Sequence, residues 1–431
     1  GGVFVARRGE TTDGHRFAPE ALEAGAALLI VERTLPLAVP QIVVADSTDA
    51  LAALAASVVA TVRARGRLRV VGVTGSNGKT TTKNLLREIC GRAGVTVASR
   101  ASFNNEVGGP LTMLEVTLDT DFLVAEMGAS HVGDIARLVR LAHPDVGIVL
   151  KVGLAHAGEF GGIERTVLAK SEMVRDLTPE DVAVLNRDDP RVIGMAEVTR
   201  ARVLTFGITP GADVTAEDIE ASATGTRFEL VLPGGERRDV AFAVLGEHHV
   251  ANALAAAAAA HVLGIDADTI VAGLQAVTRA ERWRMEVLAT EPVTVVNDAY
   301  NASPDSMAAA LKTLVQIAPG RTVAVLGEMS ELGELAGEEH DRIGLLAVRL
   351  DVRRLLVVGE GARRIHLSAV AQGSWDGESL YAPTIEEAEA ILAALLEPGD
   401  TVLVKSSNSA GLRHLGDRIG AHWAHAGGGV H

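Results

Sequence analysis

The chain has 431 residues, of which 48% are apolar and 22% charged, a composition typical of a soluble globular protein with two or three domains. Its net charge of −15, from 40 basic and 55 acidic residues, argues against a nucleic-acid partner bound mainly through the phosphate backbone. The single cysteine, Cys90, excludes an internal disulfide and a metal site built from several cysteines, and no uncharged apolar run is long enough to predict membrane insertion.

Residues 1–66 alternate short apolar runs with one amphipathic helix. Strands are predicted at 2–6, 27–31 and 42–45, and a helix at 50–65. Because the chain begins with GGVFV, already inside a predicted strand, we expect the start of this small α/β domain to lie outside the sequence.

The segment 70–82, VVGVTGSNGKTTT, is the most informative stretch for function. An apolar strand leads into a turn closed by Gly75 and Gly78, a shortened form of the standard phosphate loop, and the turn opens a helix. The backbone N–H groups of such a turn bind phosphate oxygens together with the N-terminus of the helix. Lys79 can reach the terminal phosphates and the Thr80 hydroxyl can bind Mg²⁺. The alternative is a glycine-rich turn with an incidental lysine.

Residues 67–280 form the largest predicted unit. Apolar runs alternate with helical segments, which is the pattern of a mostly parallel sheet with helices on both faces. The runs lie at 68–74, 122–127, 146–150, 182–185 and 203–206. An antiparallel insertion is predicted at 227–244, around a Pro-Gly-Gly turn, and an alanine-rich helix at 248–263.

Residues 281–431 repeat the alternation on a smaller scale and predict an open, doubly wound, Rossmann-like sheet. Its strands are predicted at 293–297, 322–326, 355–358 and 401–405. No G-x-G-x-x-G follows the first of these strands, so a dinucleotide site is not indicated. The predicted fold is therefore α/β with three domains, at 1–66, 67–280 and 281–431.

Polar side chains follow the phosphate loop in two places. Asn104 and Asn105 lie in a glycine-rich segment whose amides suit a peptide or nucleotide oxygen, with a solvated turn as the alternative. Glu126 ends the apolar strand FLVAE. A carboxylate at the carboxyl end of a parallel strand, beside a phosphate loop, is well placed for Mg²⁺, whereas the alternative is a capping or solvent-facing glutamate.

Lysine is rare in this chain. The six lysines lie at 79, 83, 151, 170, 312 and 405, and the other 34 basic residues are arginine. Because arginine cannot lose its proton, form a carbamate or act as a compact point charge, each lysine is a candidate functional residue. Lys170 lies in a predicted helix, where Glu164 and Glu172 could equally pair with it as a surface lysine. His156 follows a predicted strand, and a lone histidine is as often a surface or core residue as a ligand.

The motif NDAYNASPDSM, at 297–307, ends one strand and begins a helix with Ser303 as N-cap and Pro304 in the first turn. The start of a helix accounts for Ser303 and Pro304, but it does not account for the polar cluster Asn-Asp-x-x-Asn that precedes them. Arg284 precedes this motif at the predicted domain junction, where an arginine can move onto a phosphate when domains close. The alternative is an ordinary linker arginine.

Three long segments occur in a fixed order with the T-G-S-N-G-K-T loop. They are SFNNEVGGPLTML at 102–114, NDAYNASPDSMAAAL at 297–311, and AVLGEMSELGE at 324–334 followed by His340. With them the chain resembles, over essentially its whole length, the Mur ligase family of ATP-dependent enzymes that form amide bonds. The segments resemble the member that adds D-alanyl-D-alanine to UDP-N-acetylmuramoyl-tripeptide, and the D-N-P-R motif of the ligase that adds diaminopimelate is absent.

The resemblance implies ATP and two Mg²⁺ ions as cofactors. It assigns ATP contacts to Gly75, Ser76, Asn77, Gly78, Lys79, Thr80, Thr81, Asn252 beside the adenine, Arg284 at the γ-phosphate and Asp298 at the ribose. It assigns metal binding to Thr80, Glu126, His156 and an N-carboxylated Lys170. It assigns substrate contacts to Asn104, Asn105, Asn301 and Glu328. The catalytic residues would be Lys79, Glu126, His156, Lys170 and Arg284.

The resemblance also implies how the domains share the reaction. The N-terminal domain would bind the UDP-sugar end of UDP-N-acetylmuramoyl-tripeptide, and the C-terminal domain would bind D-alanyl-D-alanine and part of ATP. ATP would convert the tripeptide carboxylate into an acyl phosphate, while a hinge near residue 280 closes to exclude water. We expect a cytoplasmic monomer without nucleic-acid partners or membrane insertion.

Three positions depart from the family pattern. Ser406 and Asn408 stand where the motif V-K-G-S-R-S has Gly and Arg, and His249 stands where Asn or Ser is common. The open alternatives are another Mur-type or folylpolyglutamate-type ligase, and a non-catalytic ATP-binding switch. Loss of Glu126 or Lys170 would favour the switch, and both residues are present.

Overall fold

The computed structural model describes residues 1–9, 11–100, 103–153, 162–222, 224–277, 282–373, 375 and 377–427. Their strands form four sheets: a three-stranded sheet at the N-terminus, a six-stranded central sheet, a three-stranded antiparallel sheet and a six-stranded C-terminal sheet. The predicted α/β class, with mostly parallel sheets between layers of helices, is confirmed.

The N-terminal sheet is parallel and has a small core. It consists of β1 (Gly2–Val5), β2 (Ala26–Val31) and β3 (Gln41–Val43), with a 3-10 helix (Gly14–Phe17) and helix α1 (Ala18–Glu23) between the first two strands. Few buried apolar side chains hold it together: Ala6, Ala18, Leu29 and Val31. This part of the molecule therefore depends on few long-range contacts.

Helix α2 (Ser47–Arg65) connects this sheet to the central one. The Asp46 carboxylate caps it by accepting two backbone N–H groups. By length and composition alone α2 is apolar enough to span a membrane. Its residues Ala55, Val59 and Val62 are instead buried in the core on one face of the central sheet.

The central sheet has the order β5-β6-β4-β7-β8-β9, and all neighbouring strands are parallel. The strands are β4 (Arg69–Thr74), β5 (Thr96–Ala98), β6 (Phe122–Glu126), β7 (Val146–Val149), β8 (Val182–Asn186) and β9 (Arg202–Phe206). The helices are α3 (Lys79–Ala93), α4 (Gly108–Met113), α5 (Asp134–Ala142), α6 (Ile163–Arg175), α7 (Pro190–Ile193), α8 (Glu247–Val262) and α9 (Ala267–Ala276), with a 3-10 helix at Gly194–Glu197.

Helices cover both faces of this sheet, which is why its strands are continuous apolar runs. Helices α3, α8 and α9 pack on one face, and α2, α5 and α6 pack on the other. All five predicted apolar runs are strands of the sheet. The edge strand β5 was not predicted, because it has only three residues, all partly exposed.

The predicted antiparallel insertion is confirmed and has one strand more than expected. It consists of β10 (Thr215–Ser222), β11 (Gly225–Val231) and β12 (Arg237–Phe242). The register of β10 shifts between Glu217 and Glu220, which interrupts the alternation of buried and exposed side chains. The sequence of β10 therefore lacks the period of two that marks a strand.

The C-terminal sheet has the order β13-β14-β18-β15-β16-β17, with only the β13–β14 pair antiparallel. Its strands are β13 (Glu286–Ala289), β14 (Thr294–Asn297), β15 (Thr322–Leu326), β16 (Arg354–Val358), β17 (Glu378–Ala382) and β18 (Thr401–Lys405). Its helices are α10 (Pro304–Ile317), α11 (Ala336–Arg349), α12 (Arg363–Val370), α13 (Ile385–Leu395) and α14 (Leu412–Gly427), with 3-10 helices at Gly333–Leu335, Glu360–Ala362 and Asn408–Ala410. The four predicted strands are confirmed, and the edge strands β13 and β17 are additional.

The phosphate loop faces the start of helix α10. Ser303 Oγ donates to Asn77 Oδ1 at 3.4 Å. Lys151 Nζ lies 3.4 Å from Asp305 Oδ1. These contacts place the carboxyl end of β14 opposite the carboxyl end of β4.

Candidate active site

The phosphate loop joins β4 to α3 and is held by its neighbours. The Ser76 N–H donates to the Lys151 carbonyl at 2.8 Å, and Ser76 Oγ accepts from the Gly153 N–H at 2.9 Å. Gly78 has a φ of +86°, and a Cβ there would lie 2.2 Å from Asn252 Oδ1. Only glycine fits this position, so the loop can pass directly beside Asn252 into the N-terminus of α3.

Lys79, the first residue of α3, turns back over the loop. Its Nζ donates to the Gly75 carbonyl at 2.7 Å. Burial lowers the pKa of Lys79, Glu126 opposes this change, and the positive charge of Arg284 adds to it. An ammonium group in such a place is stabilised when an anion such as a phosphate binds beside it.

Glu126 presents a carboxylate oxygen without a hydrogen-bond partner in the described part of the chain. The side chain is 1% exposed, and its Oε1 accepts from Asn104 Nδ2 at 2.8 Å. Its Oε2 is buried and has no such partner. A buried, unsatisfied carboxylate oxygen is costly unless a cation completes it, so the donor set here fits a hard metal ion.

Lys170 and Glu172 lie on α6 and have different surroundings. Lys170 is 3% exposed, and burial together with the nearby charge of Lys79 lowers its pKa to about 7. Glu172 caps α5, because its two oxygens accept from the Gly133 N–H at 2.6 Å and the Ala136 N–H at 2.9 Å. Lys170 is therefore a buried amine and not the surface lysine of the alternative interpretation.

Two cavities meet at Lys79 and Asn104. The larger, of about 490 Å³, is lined by Lys79, Asn104, Asn105, Glu106, Gly128, Ala129, Ser130, His131, Asp134, Arg137, Leu138 and Lys170. The smaller, of about 280 Å³, is lined by the phosphate loop and by Asn104, Glu126, His248, His249, Asn252, Arg284, Asp298, Tyr300, Asn301, Ser306 and Lys405. The first lies in the central domain, whereas the second lies between the central and C-terminal sheets.

Two histidines precede Asn252 on α8. The rings of His248 and His249 are 4.2 Å apart, and Asn252 Nδ2 lies 3.4 Å from His249 Nδ1. Burial lowers the pKa of His248 to about 4 and also lowers the pKa of His249. Both rings are therefore neutral at pH 7 and offer flat, uncharged surfaces to the smaller cavity.

Asp298 reaches the smaller cavity as the partner of a buried lysine. Lys405 is 2% exposed, and its Nζ donates to Asp298 Oδ2 at 2.6 Å and to the Asn301 carbonyl at 3.0 Å. These contacts join the end of β18 to the loop after β14. The sequence assigns no role to Lys405, although the rarity of lysine makes it a candidate functional residue.

The comparisons with known proteins agree with one another. The models "Mur ligase middle domain" and "Mur ligase, glutamate ligase domain" match residues 73–260 and 283–408. UDP-N-acetylmuramoyl-tripeptide–D-alanyl-D-alanine ligase of Mycobacterium tuberculosis H37Rv is 42% identical over 97% of this chain and 89% of its own length. The chain belongs to the Mur ligase family.

Solved structures support the same family. A MurF crystal structure from Acinetobacter baumannii has a TM-score of 0.89 and 32% identity, covering 97% of this chain and 90% of that one. A MurF structure from Thermotoga maritima in complex with ADP has a TM-score of 0.84 and 30% identity, covering 96% and 93%. The predicted resemblance is therefore confirmed, together with the three-domain architecture typical of this family.

The structure of this Mur ligase brings most of the predicted site residues to the two cavities. Asn105 also caps α4, because its Oδ1 accepts from the Gly108 N–H at 2.9 Å. Glu328 is exposed and lines a separate cavity of about 360 Å³ beside Glu360. His156 lies outside the described residues. The assigned roles of the site residues stay predictions.

Proposed function

We propose that this Mur ligase joins D-alanyl-D-alanine to UDP-N-acetylmuramoyl-tripeptide while converting ATP to ADP and phosphate. The main support is the identity of 42% to the ligase of that name over 97% of this chain. The reaction belongs to the synthesis of peptidoglycan precursors. The enzyme acts as a monomer in the cytoplasm, where its single cysteine stays reduced.

ATP lies in the smaller cavity. The backbone N–H groups of residues 75–81 and the Lys79 ammonium bind its phosphates, because the loop and the N-terminus of α3 both favour anions. The adenine lies beside Asn252, and Asp298 accepts from the ribose. Arg284 contacts the γ-phosphate. The neutral rings of His248 and His249 leave the base without a nearby positive charge.

The acceptor peptide lies in the larger cavity, with Asn104 and Asn105 as hydrogen-bonding groups. Its terminal carboxylate meets the γ-phosphate at Lys79, where the two cavities join. A carboxylate is a poor electrophile, because its leaving group would be oxide. Transfer of the γ-phosphoryl group to a carboxylate oxygen releases ADP and replaces that leaving group with phosphate.

The dipeptide amine then attacks the acyl carbon. The C–N bond forms, the amine loses a proton, and the tetrahedral intermediate expels phosphate to leave the amide. Asn301 and the loop at 327–334 with Glu328 contact the dipeptide from the C-terminal domain. The contact of that domain with the phosphate loop, from Ser303 to Asn77, lies beside the site, and closure of the domain would keep water, the competing nucleophile, away from the acyl phosphate.

Two Mg²⁺ ions complete the proposed site. Thr80 and Glu126 would hold one, which is consistent with the unsatisfied Oε2 of Glu126. His156 and an N-carboxylated Lys170 would hold the other. A lowered pKa leaves the Lys170 amine partly neutral at pH 7, and the neutral amine is the form that reacts with CO₂. Bound Mg²⁺ would offset the repulsion between the carboxylate and the phosphates.

The experiment is phosphate release with ATP, Mg²⁺, the UDP-muramoyl-tripeptide and D-alanyl-D-alanine, omitting one substrate at a time. We expect release only when all are present, with a product whose mass increases by one dipeptide residue. Release that requires the tripeptide but accepts a different amine would indicate another ligase of the superfamily. Nucleotide binding without release under any combination would contradict the proposal and favour the ATP-binding switch.

A further inference from the structure

The backbone on either side of Arg284 is strained. Trp283 has a φ of +62° and Met285 a φ of +51°, a left-handed conformation that bulky side chains rarely adopt. Such conformations persist where the surrounding contacts over-determine them, and they are concentrated at functional sites. Arg284 is thus presented by two strained neighbours.

Hydrogen bonds from the C-terminal domain hold these neighbours. The Met285 N–H donates to Asp298 Oδ1 at 3.0 Å, and the Trp283 carbonyl accepts from the Tyr300 N–H at 3.0 Å. The guanidinium of Arg284 stacks on the Tyr300 ring, with its carbon 4.3 Å from the ring centroid. The same loop after β14 therefore supports both the backbone and the side chain.

A further anchor comes from Asp417 on α14, 134 residues further along the chain from Trp283. The Trp283 indole N–H lies 3.0 Å from both carboxylate oxygens of Asp417. Asp417 also accepts from Asn297 Nδ2 at 3.1 Å and pairs with Arg282 Nη2 at 3.0 Å. A Cβ at Gly416 would lie 2.5 Å from Asn297 Nδ2, so the helix approaches the strand as closely as glycine allows.

We propose that Asp417 is a positioning residue, which fixes Trp283 and thereby directs Arg284 onto the terminal phosphate of the nucleotide. The inference rests on the nucleotide contact proposed above for Arg284. Asp417 does not line the nucleotide cavity and reaches it through the segment 282–285 and the end of β14. One carboxylate that accepts from the indole, the end of β14 and Arg282 joins these three parts of the domain into a rigid support.

Nucleotide binding tests this directly. The affinities for ADP and for the non-hydrolysable analogue AMP-PNP are measured by calorimetry in the wild type, Asp417→Asn, Trp283→Phe, Arg284→Ala and the double variant Asp417→Asn/Arg284→Ala. We expect Asp417→Asn to lower the preference for AMP-PNP over ADP by ~10-fold, since a misplacement of a positioned group by about 1 Å can cost ~100-fold. The ADP affinity should stay unchanged, and kcat should fall without a change in KM for the tripeptide.

The double variant separates positioning from general stability. If Asp417 acts through Arg284, Asp417→Asn has no further effect once Arg284 is alanine. Trp283→Phe removes the indole donor but keeps an aromatic ring, and it should reproduce the loss even if Asp417→Asn folds poorly. The matched control is Glu389→Gln, because Glu389 pairs with Arg418, the residue after Asp417 on the same helix, at 2.8 Å. This control should leave the preference unchanged.

Three results would overturn the inference. They are an unchanged preference in Trp283→Phe, an equal loss in the presence and absence of Arg284, and a wild type that does not prefer AMP-PNP. A wild type without ligase turnover, whose preference for AMP-PNP nevertheless depends on Asp417, would contradict the proposed function and support the positioning role.

Discussion

The central and C-terminal sheets contribute to the candidate site in different ways. Lys79 begins α3 after the phosphate loop that follows β4, and Glu126 ends β6, the parallel strand beside β4, so the strand order brings both to the same edge of the sheet. Arg284 and Asp298 depend on an irregular segment, a buried lysine and contacts from the last helix. The strand order of the central sheet is thus enough to bring its candidate site residues together, whereas those of the C-terminal sheet are oriented by long-range contacts.

The largest effect is expected in the central domain, at Lys79. Replacement by alanine removes the point charge that lies where the two cavities meet, so Lys79→Ala should lower kcat by ~10³-fold or more. Phosphate release measures this, and Lys312→Ala, an exposed lysine on α10, is the matched control. Comparable losses in both variants would mean that the effect is not specific to the site.

Lys170→Ala should also abolish turnover, and short carboxylic acids should restore part of it by replacing the carbamate. The same residue makes stability depend on pH. Because its pKa is lowered from 10.5 to about 7, the unfolded chain binds more protons between these values, and stability should rise with pH across that range.

Chemical denaturation at pH 7 and pH 9.5, in CO₂-free buffer, tests whether the free energy of unfolding depends on the titration of Lys170. The variant Lys170→Met lacks the titrating group, so its stability relative to the wild type should be highest at pH 7 and should fall as the pH rises. A difference that does not change with pH would mean that the amine is not buried as the structure has it. Full activity of Lys170→Ala would contradict the carbamate.

A moderate effect is expected in the C-terminal domain, at Lys405. Lys405→Met leaves the Asp298 carboxylate, which is 13% exposed, without its ion-pair partner. Breaking a buried pair from one side should lower the free energy of unfolding by ~3 kcal/mol. Urea denaturation measures the loss, and a smaller loss in Lys405→Met/Asp298→Asn than in Lys405→Met alone would identify the unpaired charge as its cause.

The smallest effect is expected between the two sheets, at Lys151 and Asp305. Lys151 is 47% exposed, so solvent screens its pairing with Asp305. Lys151→Gln should change the free energy of unfolding by ~0.5 kcal/mol or less. A double-mutant cycle with Asp305→Asn measures the coupling, and a coupling of several kcal/mol would show that this contact holds the domains together.

The sequence predicts the fold well where apolar residues follow a clear pattern along the chain. The strands β4 and β6 to β9 are apolar runs between helical segments, and each was predicted. Four edge strands, β5, β10, β13 and β17, were not predicted. β5 has only three residues, and in β10 the bulge between Glu217 and Glu220 removes the alternation on which such a prediction depends.

The residues of the candidate site also fall into those that the sequence predicts and those that it does not. The motif around Lys79, the carboxylate Glu126 and the scarce Lys170 are recognisable from residue type and position alone. Asp417 and Glu172 are not, because nothing local distinguishes a helical carboxylate that anchors a distant segment from one that faces solvent. For Lys405 the only signal is the rarity of lysine, which does not identify its partner.

The sequence by itself determined the α/β class, the phosphate loop and the family, because these follow from local periodicity and contiguous motifs. Tertiary structure decided the lowered pKa of Lys170, the neutral histidines on α8 and the direction of Arg284. Burial sets the first two, since desolvation depends on every element packed around the group. The last depends on a hydrogen bond between residues 134 positions apart, which exists only once α14 has packed against β14.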